Sequence, residues 1–242
     1  MNNYNFIHLC NVDSTNNYIL NLKGCNNFKE GLIVSTDFQT NGRGQRGNSW
    51  ESEKGKNLIF SILIEPDIVV EKQFDLSKII SVSLIDCLCF FGLKSSIKWP
   101  NDILVEKKKI AGILIQNIIS KNGVITHSVI GIGLNVNQRI FNDYHPKATS
   151  LSIELKKNFV LKEIKLELLK SLQNNIEMYR KGANFDLKYI DTLYMKGKVS
   201  VFESDSIRFN GIIRGVKDNG RLIVETSESV KKFAMNEIKM LF

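Results

Sequence analysis

An α+β domain followed by a small β-barrel is the fold class that the apolar patterning of this 242-residue chain predicts. Three observations carry the prediction. Strand-like and helix-like segments are interspersed from the N-terminus to Lys196-Gly197. Two long segments, 74–91 and 160–179, carry apolar residues at helical spacing. After Lys196-Gly197 that spacing stops, and short alternating strands separated by turn residues begin. The expected boundary divides the chain into 1–194 and 195–242.

Asp13-Ser14-Thr15 ahead of Asn16 reads as a capped helix start, where a short polar side chain satisfies an orphaned backbone N–H. Strands are expected over 32–36 and 58–64. Leu76, Ile79, Ile80, Leu84, Ile85 and Leu88 recur at helical intervals and predict a buried helix. Three strands follow, over 96–99, 109–119 and 124–136. Leu161, Ile164, Leu168, Leu172 and Ile176 line one face of an amphipathic helix, and a shorter helix covers 185–194. The last unit reads as strands over 198–202, 206–216, 221–226 and 230–234, with Asp218-Asn219-Gly220 as a turn.

Composition narrows the classes of function. A hydrophobic content of 43% supplies a sizeable core. No apolar run approaches the ~18 residues of a membrane span, and the N-terminus lacks the layout of a signal peptide, so a cytoplasmic protein is the default expectation. Cys10, Cys25, Cys87 and Cys89 form no C-x-x-C pair, and His8, His127 and His145 are far in sequence from Cys87 and Cys89. The two cysteines in the apolar helix are read as small buried hydrophobes, and no protein metal site is expected. The net charge of +8 fits scattered surface lysines, or an anionic ligand with an acidic protein partner.

Four stretches carry chemistry. Gly42-Arg43-Gly44-Gln45-Arg46-Gly47 matches G-x-G-x-x-G, the pattern of dinucleotide-binding turns. Such a turn opens a helix, whereas here a non-helical stretch and a second strand follow. The expectation is a glycine-rich loop between strands whose arginines fold over an anion. In Lys98-Trp99-Pro100-Asn101-Asp102, Pro100 ends a strand and sets Asn101 and Asp102 in a turn. Lys107-Lys108-Lys109-Ile110-Ala111-Gly112 leads into a strand; Lys109 adjoins the apolar part and points into a site, while Lys107 and Lys108 form a solvated tip. Gly112, inside that strand, marks close approach by a ligand or another backbone. Gly131-Ile132-Gly133-Leu134-Asn135 leaves one strand face bare, either for a flat ligand beside the Asn135 amide or for close helix packing. No Ser-His-Asp set, H-E-x-x-H or Walker motif is present, so the inventory suits binding of an anionic intermediate.

Together with Asp13-Ser14-Thr15-Asn16, Gln39 and Trp50, these motifs in this order resemble the biotin protein ligases, biotin–[acetyl-CoA-carboxylase] ligases, over nearly the whole chain. The resemblance implies a mixed-sheet catalytic domain of the biotin/lipoate ligase type with a small C-terminal SH3-like β-barrel. It implies an enzyme that joins biotin to a lysine of a biotin carboxyl carrier protein. Biotin and ATP would first give biotinyl-5′-AMP and pyrophosphate, with Mg2+ screening the polyphosphate.

By the same resemblance, Lys109 and Arg43 are the catalytic cations. Ser14, Thr15, Asn16, Gln39, Gly42, Arg43, Gly44, Gln45, Lys109 and Gly112 surround biotin. Arg46, Trp50, Asn101, Lys109 and Asn135 surround the adenylate. Many relatives have arginine where this chain has Gln45, so Arg46 is the candidate substitute. A homodimer formed side by side through exposed strands is a further implication. The ligase pattern starts by about residue 6, so the expectation is a monofunctional form without a helix-turn-helix domain or operator binding. Two other readings remain: a lipoate or octanoate ligase or transferase of the same fold, and a non-catalytic nucleic-acid binder.

Overall fold

The structure, a computed structural model, describes residues 4–241, apart from the Arg46 side chain. Chain order runs β1 (Asn5–Leu9), α1 (Thr15–Asn21), β2 (Leu32–Thr36), β3 (Leu58–Ile64), β4 (Ile68–Val69) and α2 (Gln73–Phe90). It continues with β5 (Ser96–Lys98), β6 (Asp102–Val105), β7 (Lys108–Ile119), β8 (Val124–Leu134), α3 (Leu151–Leu155), α4 (Leu161–Arg180) and α5 (Asp186–Asp191). The C-terminal strands are β9 (Val199–Ser204), β10 (Ile207–Val216), β11 (Leu222–Glu225), β12 (Val230–Phe233) and β13 (Lys239–Met240).

The main sheet has the order β1-β2-β3-β8-β7-β6-β5, with β4 paired to β8. Only β1 and β2 run parallel; the other pairs are antiparallel. That mixture excludes the dinucleotide-binding setting for the glycine loop. Its flanking strands, β2 and β3, are direct antiparallel neighbours, with no crossover helix between them.

Side chains alternate across a strand, so β2 feeds two layers. Leu32 and Val34 pack with Ile19 of α1, Leu63 and Val129 on one face. Ile33 joins the main core on the other face, with Ile62 of β3, Ile79 and Leu84 of α2, and Leu168 and Leu172 of α4. Each such buried aliphatic contributes about 1.5–3 kcal/mol. One cation interrupts α2: Lys78 is 4% exposed and hydrogen-bonds Asp75 and Asp186, tying α2 to α5. Burial opposes the ammonium, but the two aspartates outweigh it and raise its pKa above the ordinary lysine value.

The C-terminal strands form a five-stranded antiparallel sheet ordered β12-β11-β10-β9-β13. The small C-terminal β unit that the sequence predicts is present, and among the described residues no pairing joins β12 to β13. Its edge strands, of four and two residues, have little length with which to close. The sheet shares the main core through Phe202, Ile213, Leu222 and Phe233. One link is the turn at Gly220, whose carbonyl accepts a 3.0 Å hydrogen bond from Trp99 Nε1. Gly220 has φ +83°, and a Cβ there would lie 2.7 Å from the Phe74 ring. Both conditions demand glycine.

Three expectations change. Cys87 is buried but Cys89 is exposed, because the two stand on different sides of α2. Lys108 is no solvated tip: its Nζ lies 2.6 Å from Glu154 Oε1, whereas Lys107 is exposed. Asp102 opens β6 while Asn101 stays in the turn. Among the described residues no helix is long and apolar enough to cross a membrane.

Candidate active site

Strand register builds the floor of the main cleft. Asp102, Gly112, Gly133, Ile59 and Thr36 are successive cross-strand partners on β6, β7, β8, β3 and β2. The neighbouring row is Leu114, Gly131, Ser61 and Val34. Gly131 and Gly133, two residues apart, face the same way. The bare face that the sequence predicts exists, and the chain's own side chains lie on it. A Cβ on Gly131 would meet Asn16 Oδ1 at 2.4 Å, and one on Gly133 would meet the Trp50 ring at 2.4 Å. On Gly112 it would come within 3.1 Å of Trp50 and 3.3 Å of Lys109 Cε. With Trp50 seated there the cleft encloses about 190 Å³, less than the roughly 300–1,000 Å³ of ordinary ligand sites.

One end of the cleft is polar and uncharged. Ser14 caps α1 by accepting from Asn17 N. Its neighbours Thr15 and Asn16 are therefore fixed at the start of the helix. Gln39 Oε1 accepts from Thr15 N at 2.8 Å and lies 3.1 Å from Thr15 Oγ1. Ser61 Oγ sits 2.7 Å from Thr15 Oγ1 and 2.6 Å from Asn16 Oδ1. Asn16 Nδ2 donates to Gln116 Oε1 at 2.8 Å and more weakly to Leu114 O at 3.4 Å. At its rim, Asp13 has its pKa lowered by the Asn17 side chain, with help from the Ser14 backbone.

The glycine-rich loop forms a small hairpin above the floor. Trp50 N donates to Gly42 O at 2.9 Å, Gly44 N to Asn48 O at 2.6 Å, and Arg43 bridges Ser49. A short 3-10 turn, Gln45–Gly47, makes the tip. Gly42 is buried, and a Cβ there would strike Trp50 O at 2.3 Å. Glycine at 42 thus lets the two limbs of the hairpin close. Beyond Trp50, Glu51 accepts hydrogen bonds from Asn142 and Tyr144, and Gln138 Oε1 accepts from Glu53 N.

The other end holds three charges. Lys109 Nζ lies 2.6 Å from Asp102 Oδ1, and Lys98 Nζ lies 3.6 Å from Asp102 Oδ2. A β-bulge explains why Lys109 arrives there. On β7, Ala111 pairs Ile103 while Lys109 pairs Leu104, so Ile110 is the extra residue. The bulge turns Lys109 to the face that carries Gly112. Its backbone is pinned by Lys109 N to Lys147 O at 2.7 Å and Thr149 N to Lys109 O at 2.9 Å. Lys109 Nζ also stands 5.6 Å from the Trp50 ring centroid, within cation–π range. Burial lowers the pKa of Lys98; Asp102 counteracts this and Lys109 adds to it.

Of the residues expected from sequence, Ser14, Asn16, Gln39, Arg43, Gly44, Gln45, Trp50, Asn101, Lys109 and Gly112 line this one cleft. Thr15 and Gly42 lie behind its wall. Asn101 Nδ2 donates to Ile113 O at 2.9 Å. Asn135 does not line the cleft: it is buried, with Nδ2 on Thr149 O at 3.0 Å. The Arg46 side chain lies outside the described residues. Residues not foreseen as part of the site are Lys98 and Asp102, which line it, and Ser61 and Gln116, which hold its neutral end. A lone serine in the apolar strand 58–64 was the visible sign of Ser61.

The profile of the Biotin/lipoate A/B protein ligase family matches residues 9–135, which contain the whole cleft floor. The chain belongs to this family. Among similar ligases of known kind, the "Bifunctional ligase/repressor BirA" of Bacillus subtilis is 30% identical over 222 residues, covering 89% of this chain and 68% of that protein. The "Biotin--[acetyl-CoA-carboxylase] ligase" of Mycobacterium tuberculosis is 28% identical over 204 residues, 81% of this chain and 74% of that one. A solved structure of the biotin protein ligase from Aquifex aeolicus in complex with biotin and ATP superposes with a TM-score of 0.81. That pair is 28% identical, and 98% of each chain is covered.

Proposed function

We propose that this chain is a biotin–[acetyl-CoA-carboxylase] ligase, which uses ATP to attach biotin to a lysine of a biotin carboxyl carrier protein through biotinyl-5′-AMP. The observation that carries the reading is the two-ended cleft in a fold that matches a biotin- and ATP-bound ligase over 98% of its length. An uncharged bicyclic urea suits the hydroxyl and amide end. The carboxylate and the α-phosphate suit the lysine end.

In the first step the biotin carboxylate oxygen attacks the α-phosphorus, and pyrophosphate leaves. Two anions must meet, so fixed positive charge is needed where negative charge builds up. Lys109 has that role in the proposal, with Lys98 beside it and Arg43 reaching from the hairpin. In the second step the carrier lysine amine attacks the acyl carbon, and AMP leaves with the bonding electrons. Trp50 and the hairpin then act as a roof that keeps water from the adenylate. Gln45 can donate a hydrogen bond but adds no charge, which leaves Arg43 as the described arginine of the hairpin. Trp50, Asn101 and Arg46 are assigned to the adenylate side. Asn135 supports that side through the backbone of Thr149.

Magnesium enters the proposal with ATP. Among the described residues no group of three or more His, Cys, Asp or Glu is placed to hold a metal. An ion that travels on the triphosphate needs few protein ligands, and Asp102 is the carboxylate that the described cleft lining offers. When bound, the ion would neutralise polyphosphate charge.

The proposal divides the chain into a catalytic unit, 1–194, and a C-terminal unit, 195–242, supported by the change of sheet after α5. It includes a cytoplasmic location, a homodimer formed through exposed strands, and no operator binding. Sequence-specific retardation of DNA would remove the last point.

The decisive experiment mixes the chain with ATP, magnesium, labelled biotin and a carboxyl carrier domain. Label on one carrier lysine, dependent on ATP, is the expected result. Stronger thermal stabilisation by lipoate than by biotin, each with ATP, together with label transfer from lipoate only, overturns the choice of substrate.

A further inference from the structure

Lys109 stands where β7 has outrun one of its neighbours. β8 ends at Leu134, opposite Ala111. At Lys109 the stretch 147–149 takes its place, with Ala148 as a parallel bridge partner. Lys109 N donates to Lys147 O at 2.7 Å, and Lys109 O accepts from Thr149 N at 2.9 Å. The carbonyl of Ile110, the bulged residue, accepts from Asn135 N at 2.9 Å. The bulge that turns Lys109 into the cleft thus finds its backbone partners in residues 135 and 147–149.

Glu154 ties that stretch to the strand. Thr149 is fully buried. Its N–H is given to Lys109 O, its carbonyl takes Asn135 Nδ2 at 3.0 Å, and its hydroxyl donates to Glu154 Oε1 at 2.5 Å. The same Glu154 oxygen accepts from Lys108 Nζ at 2.6 Å. Glu154 is itself fixed at the start of α3, where its N–H donates to Ser150 O at 3.1 Å. One carboxylate oxygen therefore reaches Lys109 by two routes. It holds the side chain of the preceding residue, and it holds the residue that clasps the Lys109 carbonyl. Glu154 does not line the cleft.

We propose that Glu154 is a positioning residue for adenylate formation, which keeps the bulge at Ile110 in register so that Lys109 Nζ stays on the face of Gly112. The inference rests on the ligase reading, in which Lys109 carries transition-state charge. Without Glu154 the buried Thr149 hydroxyl loses its acceptor and Lys108 is released, so the strand can slide or untwist beneath Lys109. A displacement of about 1 Å at a charge that must meet the α-phosphate can cost about 10²-fold in rate. Substrate binding draws on the hydroxyls, amides and hairpin elsewhere in the cleft, so it should change less.

The test is a double-mutant cycle in biotin-dependent exchange of label between pyrophosphate and ATP, with kcat, both KM values and Tm measured for each variant. Glu154→Leu is expected to lower kcat about 10- to 100-fold with each KM within about threefold of wild type. Glu154→Gln keeps an oxygen for both donors and should return kcat to within about threefold of wild type. In a chain that already carries Lys109→Ala, Glu154→Leu should lower the remaining kcat by less than about twofold, because a residue that acts through Lys109 then has nothing to place. Damage to the fold alone would give the same loss in both backgrounds. Lys108 keeps 36% of its side chain exposed, so Lys108→Met carries the same cycle if Glu154→Leu does not fold. Its expected loss is smaller, about three- to tenfold in kcat, and it too should vanish in the Lys109→Ala chain. Wild-type kcat in the variant that carries the cycle, a KM rise as large as the fall in kcat, a Glu154→Gln as slow as Glu154→Leu, or equal losses with and without Lys109 overturns the inference. Wild-type chain that shows no biotin-dependent exchange overturns the ligase reading itself, and this inference with it.

Discussion

The two ends of the cleft are built on opposite plans. At the neutral end Thr15, Asn16 and Ser61 are buried, and each holds another in place before any ligand arrives. At the charged end Lys98, Asp102 and Lys109 keep 21%, 13% and 28% of their side chains exposed and are paired with one another. The difference follows from what each end must bind. A neutral ring is recognised by dipoles, which select only if their directions are fixed in advance. An anion is attracted from any direction, so the lysines need only be gathered. Asp102 gathers them, and it stands where a carboxylate or phosphate would have its own claim on Lys109.

The largest test of this contrast is Lys109→Ala. Removing charge from the reacting centre should lower biotin-dependent pyrophosphate exchange by about 10²–10³-fold, with biotin binding weakened by a much smaller factor in calorimetry. Wild-type exchange would show that the charged end does no chemistry. The next test uses the support of that end. Trp99 stands between Lys98 and the turn that leads to Asp102, and it is fastened to Gly220. Gly220→Ala adds a Cβ against Phe74 at a left-handed backbone position. It should cost about 1–3 kcal/mol in urea unfolding, and it should raise KM for ATP and leave KM for biotin unchanged. A rise in KM for biotin instead would mean that the two ends are not separately supported.

The smallest effect is on pH dependence. Burial favours neutral Lys98, so its cation is present below a folded pKa lower than the ordinary 10.5 and is lost as pH rises through it. The alkaline limb of kcat/KM for ATP should fall in that window, and Lys98→Arg should move it upward because guanidinium keeps its proton. Between the folded value and 10.5 the unfolded chain binds the extra proton, so this group makes stability rise with pH while activity falls. An alkaline limb unmoved by Lys98→Arg would assign it elsewhere.

Much of this was legible in the sequence. The helical spacing in α2 and α4, the cap at Ser14, the glycine on β7 and the glycine pair on β8 are all visible in the local sequence. What the sequence hid depends on partners distant in the chain. Simple alternation puts Lys109 and Gly112, three apart, on opposite faces of β7; only the bulge at Ile110 brings them together. Asn135 sits one residue beyond a glycine-rich strand, and its turn away from the cleft depends on Thr149. The strand β1, only five residues long, depends on parallel pairing with β2 rather than on any pattern of its own. Ser61 and Gln116 became visible as a pair only once β3, β8 and β7 were in register.

The chain has two tryptophans, and they stand at two unlike places. Trp50 lies over the bare glycines, its indole N–H without a hydrogen-bond partner among the described residues, and Trp99 is clamped to the C-terminal sheet. The protein therefore carries its own pair of optical probes. With Trp99 replaced by Phe, fluorescence follows the filling of the cleft. With Trp50 replaced by Phe, it follows the seating of the C-terminal sheet, so the order of the two events can be timed in one cuvette without any label.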